Sequence, residues 1–134
     1  EPLGMRGSTM KRQAMAVAAV SDIDGWDDFR LCYDTFQFYR CGDTQLFPDR
    51  IGLAHMSGIT RTDLAPGDLT EPDRELIFVG NIAQLRALQA AGYDGFVSME
   101  PFSPDVQADP QLAAHLRASL DYVATLLADT PPNA

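Results

Sequence analysis

Short apolar runs separated by polar, turn-forming stretches set the pattern of this chain. Phe29 to Tyr33, Ile51 to Ala54 and Phe96 to Met99 are mostly apolar rather than alternating. Such runs predict strands covered on both faces, as in a parallel sheet. Helical patterns lie between them. Ser8 to Val20 is rich in good helix formers, with Ser8 placed as an N-cap, and Ser21 to Asp28 is a polar loop holding Gly25. Asp34 to Phe38 leads the chain off the first strand, and the stretch to Arg50 reads as a short helix or an irregular crossover. Ser57 to Asp73 is a turn-rich loop. Asn81 is placed to cap a helix in which Ile82, Leu85 and Leu88 recur on one side, closing at Gly92. Asp109-Pro110 is a helix start signal. The helix it opens carries Leu112, Leu116, Leu120, Val123 and Leu127, and the tail 129–134 is expected to fray.

Strand alternating with helix implies parallel, right-handed crossovers. The 134 residues suffice for one domain, 1–134, with a sizeable core. Three and a bit strand–helix units make about half of a (β/α)8 TIM barrel, which needs ~250 residues. A small doubly wound sheet is the competing architecture. It leaves the start of the chain unexplained: position 1 is Glu rather than Met, and Glu1-Pro2-Leu3 reads as the tail of a strand. The preferred reading is therefore α/β, the C-terminal half of a (β/α)8 barrel and the downstream part of a longer protein. An open half barrel exposes two sheet edges and an apolar inner face. Such a chain is expected to be marginal, to aggregate, or to close as a homo-oligomer with a second copy.

Each predicted strand stops on a residue that binds metals: Asp34, His55 and Glu100, with Glu1 at the fourth such place. Parallel barrels present their chemistry at the C-terminal ends of strands. Taken singly, each is an ordinary solvated strand-end residue. Together, three carboxylates and one imidazole suit one divalent cation, Mn²⁺, Mg²⁺, Zn²⁺ or Co²⁺, rather than a thiolate-loving metal. Phe36 and Phe102 flank these positions and are expected as pocket walls, whereas Trp26 is expected to pack in the core or an interface. His115 is expected on a solvated helix face.

Composition narrows the partners. Nineteen acidic against ten basic residues give a net charge of −9, which disfavours nucleic acid and anionic membrane. No apolar run approaches the ~18 residues that span a bilayer. Two cysteines, Cys32 and Cys41, without a suggested disulfide fit a reducing cytoplasm. There is no phosphate-binding glycine loop, Ser/His/Asp order or Cys-x-x-Cys pair.

Several segments resemble a known family. Asp34-Thr35-Phe36-Gln37-Phe38-Tyr39 resembles the Asp-Thr-Phe-His motif of the sugar phosphate isomerase/epimerase family, the xylose isomerase-like TIM barrels. Ala54-His55-Met56-Ser57-Gly58 is similar to its His-Ile-Ser strand end, and Asp73-Arg74 followed by Gly80-Asn81-Ile82 to its Asp-Arg segment. Gly92-Tyr93-Asp94-Gly95 through Glu100-Pro101-Phe102 is similar to its final-strand signature, and Glu1-Pro2 to the Glu-Pro that ends the first ligand strand. The nearest branch is the inosose (2-keto-myo-inositol) isomerases.

The resemblance implies a metal-dependent isomerase or epimerase of a sugar or keto-polyol. Glu1, Asp34, His55 and Glu100 would hold the cation, and Glu1 and Glu100 would exchange a proton on opposite faces of the carbon through an enediolate. Arg74 would fix substrate oxygens, or else pair at the surface with Asp73 or Glu75. Gln37 stands where the family carries a histidine. It can hydrogen-bond a sugar hydroxyl but cannot carry a proton. Glu75 to Val79 is more apolar than the family's loop and is expected to serve a subunit or substrate-wall contact. A dehydratase on the same barrel and a non-catalytic fragment are the alternatives. DNA repair, which also uses this barrel, is disfavoured by the charge and the scarcity of histidine.

Overall fold

The computed structural model describes residues 1–77 and 79–128. Three parallel strands, β1 (Leu31–Asp34), β2 (Ile51–Met56) and β3 (Val97–Met99), form one sheet in the order β1-β2-β3. Among the described residues spatial order follows chain order with no reversal, so no crevice of the doubly wound kind forms. The helices are α1 (Gln13–Asp22), α2 (Thr35–Arg40), α3 (Val79–Ala90), α4 (Pro104–Gln107) and α5 (Leu112–Ala128).

Alternation along the strands separates two faces. Leu31, Tyr33, Ala54 and Met56 bury themselves with Ala16 of α1, Ile82, Leu85 and Leu88 of α3 and Val123 of α5. Trp26 packs against this core, and Arg50 stacks over its ring at 4.5 Å. Cys32, Asp34, Leu53, His55 and Ser98 occupy the opposite face, with Asp34 paired in register to His55 and His55 to Ser98. That face is therefore more polar than the apolar one expected.

Several boundaries differ from the sequence reading. β1 begins at Leu31 rather than Phe29, because the Phe29 N–H donates to the Gly25 carbonyl and its ring is exposed. β2 extends to Met56, which puts His55 inside the strand instead of beyond it. Ser8 does not cap α1. Its hydroxyl donates to Met10 O in a local turn, and the helix starts at Gln13. Glu1 to Leu3 is not a strand; the Leu3 N–H donates to Met10 O. α3 starts at Val79, so Asn81 sits in its first turn.

The end of α3 follows expectation. Gly92 adopts φ +98°, a left-handed conformation that a side chain rarely takes, and the Tyr93 N–H returns to Leu88 O. Asp109 accepts from the Gln111 N–H ahead of α5, but Leu120 is exposed and the helix packs through Val123, Leu126 and Leu127. The segment 75–77 pairs Glu75 with Gly58 in an antiparallel bridge, while Leu76 and Ile77 lie beside His115 and Tyr122 of α5. These two side chains share a cleft with a helix of the same chain and not with the site; residue 78 and the side chain of Val79 lie outside the described residues. The tail 129–134 lies outside the described residues. Among the described residues no helix is long and apolar enough to cross a membrane.

Candidate metal centre

Backbone register creates the centre. The parallel pairing of β1 with β2 sets Asp34 beside His55, and the Glu100 N–H donates to Met56 O at 2.9 Å just past β3. Glu1 arrives from the opening segment, which is fastened by the Gly4 N–H donating to Gln37 Oε1 at 2.9 Å. Gly4 is required there: a Cβ at this position would lie 2.7 Å from the Gln37 carbonyl oxygen. One ligand atom each from Glu1, Asp34, His55 and Glu100 fall within 4.8 Å of one another.

Asp34 belongs to two structures at once. Its Oδ1 accepts from the Gln37 N–H at 2.8 Å, capping α2, while Oδ2 accepts from Arg74 Nη2. Burial pushes its carboxyl up to about 6, outweighing the opposing pull of Arg74 and the Gln37 N–H; Glu1 and Glu100 add to the rise.

Arg74 is the second organiser. It is 2% exposed, and the same Nη2 donates to Glu100 Oε2 at 2.6 Å. Its Nε donates to Ser57 Oγ at 3.1 Å and its Nη1 to Glu71 Oε2 at 2.9 Å. The rings of Phe36 and Phe102 lie 5.4 and 4.8 Å from the guanidinium carbon. The pairing with Asp73 or Glu75 considered from the sequence does not occur. Asp73 instead closes a capping box with Thr70.

The other expected contacts divide. Phe102 is exposed beside the centre, whereas Phe36 is fully buried beneath Arg74. Gln37 is buried, and its amide is committed to Gly4 and to Glu71 Oε1 at 2.9 Å, so it braces the centre rather than facing a substrate. Glu71 escapes a reading of the sequence alone. It joins Gln37, Arg74 and, at 3.6 Å, Arg40. The Thr70-Glu71-Pro72-Asp73 capping signal marks the turn that carries it. Cys32 escapes as well. Its sulfur groups with Glu1 and His55 within 4.8 Å, and burial together with the Glu1 carboxylate pushes its thiol up to about 12. A cavity of about 460 Å³ lies between α2 and α3, lined by Phe38, Tyr39, Asp43, Ile59 and Gln84, and includes none of these carboxylates.

The donors fit a divalent cation. His55 Nδ1 is buried and lies 3.1 Å from Glu100 Oε2 and 3.6 Å from Glu1 Oε2, yet makes no hydrogen bond. A buried polar atom left so is costly unless something coordinates it. Around it, the side-chain carboxylates of Glu1, Asp34, Glu71 and Glu100 are met by the guanidiniums of Arg40 and Arg74. Between these side chains the shortfall is two positive charges.

A half barrel of parallel strands with carboxylates and an imidazole gathered at the strand ends defines a class of protein. A model of the xylose isomerase-like TIM barrel family matches residues 1–125, and the chain belongs to that family. Among solved structures it is similar to a xylose isomerase domain containing protein from Salmonella typhimurium LT2, at 23% identity and a TM-score of 0.81, covering 96% of this chain and 49% of that one. It is also similar to the IolI protein with a binding zinc atom, at 21% identity and a TM-score of 0.78, covering 98% and 49%. The chain spans about half the length of these structures, and at such identities the likeness is one of fold. No curated protein matches it.

Proposed function

We propose that this chain carries the metal-binding half of a divalent-metal-dependent isomerase or epimerase acting on a sugar or keto-polyol of the inosose type. The observation that carries this reading is His55, whose Nδ1 is buried without a hydrogen bond 3.1 Å from Glu100 Oε2, in one group of ligand atoms with Glu1, Asp34 and Glu100. The zinc in the IolI structure supports it. When bound, the cation supplies Lewis-acid polarisation of a carbonyl and its neighbouring hydroxyl.

The chain's own residues do the rest. Asp34 and His55 are fixed by the sheet and serve as ligands. Glu1 and Glu100 come from separate segments and meet beside His55, and in this reading they serve opposite faces of the substrate carbon. Each takes or returns a proton bound to carbon as the enediolate forms and collapses. Arg74 is buried with its guanidinium donating to Ser57, Glu71, Asp34 and Glu100, so it orients the Asp34 and Glu100 carboxylates and adds positive charge behind them. The exposed Phe102 ring provides an apolar wall for sugar C–H groups.

The test is exchange of the substrate's carbon-bound hydrogen with deuterated water, followed by NMR on the Mg²⁺-loaded protein with an inosose. Exchange that disappears in Glu100→Gln while the metal stays bound is the expected result. Unchanged turnover in that variant would remove Glu100 from acid/base duty.

A further inference from the structure

We propose that Cys32, with Glu1 and His55, forms a second, sulfur-containing seat for a divalent cation. Zn²⁺ and Co²⁺ engage Cys32, whereas Mg²⁺ and Mn²⁺ remain with Asp34 and Glu100. The inference rests on the metal reading above and deepens it.

The strand pleat provides the placement. Cys32 stands two residues before Asp34, so both point to the same side of the sheet, one row apart. Glu1 and His55 are common to both donor groups, and in each the ligand atoms lie within 4.8 Å of one another. Donors held at 2.0–2.3 Å around a tetrahedral ion sit roughly 3.3–3.8 Å apart. The sulfur therefore joins the set by side-chain shifts of up to about an ångström. His55 Nδ1, buried without a hydrogen bond, lies at the junction of the two seats.

Competition separates the seats. Asp34 and Glu100 both accept from Arg74 Nη2, so a cation entering the oxygen-rich seat contends with a guanidinium. Neither Cys32 nor Glu1 accepts a hydrogen bond from an arginine among the described residues. Softness acts in the same direction: thiolate favours Zn²⁺ and Co²⁺ and offers little to Mg²⁺. Engagement breaks the S–H bond and forms a sulfur–metal bond, releasing one proton to solvent.

The experiment compares Co²⁺ with Mn²⁺ on the whole protein. Co²⁺ is expected to produce a near-ultraviolet thiolate-to-cobalt charge-transfer band that is lost in Cys32→Ser and Cys32→Ala and kept in Cys41→Ser. Zn²⁺ affinity should fall in Cys32→Ser by on the order of tenfold to a hundredfold, while Mn²⁺ affinity, read by EPR of the free ion, stays level. On the unsubstituted protein, Zn²⁺ but not Mg²⁺ should shield Cys32 from alkylation, as mapped by mass spectrometry. That measurement decides the matter even if the variants fail to fold. Co²⁺ binding with no thiolate band, abolished by Asp34→Asn, would overturn the role of Cys32 and leave the oxygen-rich site standing. No binding of any divalent ion would overturn both.

Discussion

Arg74 Nη2 donates to Glu100 Oε2 at 2.6 Å and, with the same nitrogen, reaches Asp34 Oδ2. One guanidinium nitrogen thus ties together two carboxylates from strands at opposite edges of the sheet. Arg74→Met would leave a buried Asp34 charge uncompensated, so a loss of roughly 3–5 kcal/mol is expected in urea unfolding without metal. Added Mn²⁺ should recover part of that loss by replacing the missing positive charge. A variant as stable as the parent would show that Arg74 does not hold these groups.

Glu71 is the support behind that arginine. Glu71→Ala removes the acceptor for Gln37 Nε2 and Arg74 Nη1 and takes away the carboxylate nearest Arg40, whose Nε and Nη1 are buried without hydrogen bonds. A cost of about 1–3 kcal/mol is expected, measured by thermal or urea melts. Glu71→Gln should cost less, since its carbonyl oxygen still accepts from one partner.

Gly4 offers a way to disturb one ligand and leave the sheet alone. Gly4→Ala presses a methyl group against the Gln37 carbonyl and shifts the opening segment that carries Glu1. Zn²⁺ affinity by calorimetry should fall at least several-fold while the melting temperature changes by only a few degrees, since the segment adds little to the core. Equal affinity in the variant would mean that Glu1 is not a ligand.

Asp34 gives stability without metal a defined pH dependence. Its carboxyl protonates at about 6 in the folded chain against an ordinary 3.8. Between those values the folded state holds more protons than the unfolded one, so lowering the pH from 7 towards 4 stabilises the fold through this group. The shift corresponds to at most about 3 kcal/mol. The difference in stability between the parent chain and Asp34→Asn should therefore shrink as pH falls. A difference that stays flat from pH 7 to 4 would rule out the burial cost assigned to Asp34.

The strands are legible in the sequence because a short apolar run bounded by polar residues suits an interior strand, although β2 runs on past His55 to Met56. Asp34, His55 and Glu100 follow from that pattern, and parallel register brings them together. The starts of α1 and β1 are not legible, because Ser8 and Phe29 satisfy their hydrogen bonds in local turns that no periodicity announces. Gln37 misleads for a related reason. The resemblance puts it where the family carries a histidine and implies substrate contact, but only tertiary structure reveals that its amide is spent on Gly4 and Glu71. Glu71 and Cys32 join the centre across 34 residues of separation in one case and through a strand pleat in the other. A linear reading weighs neither relation.

The divided duty of Asp34 has one more consequence. Its Oδ1 is held by the first turn of α2, so the torsions that aim Oδ2 into the centre are frozen as soon as that helix forms. An arriving ion finds this donor already oriented and loses no rotational entropy of the side chain in recruiting it. Folding of the strand–helix junction thus orients one donor of the proposed centre, and a chain whose α2 unravels is expected to lose metal affinity with it.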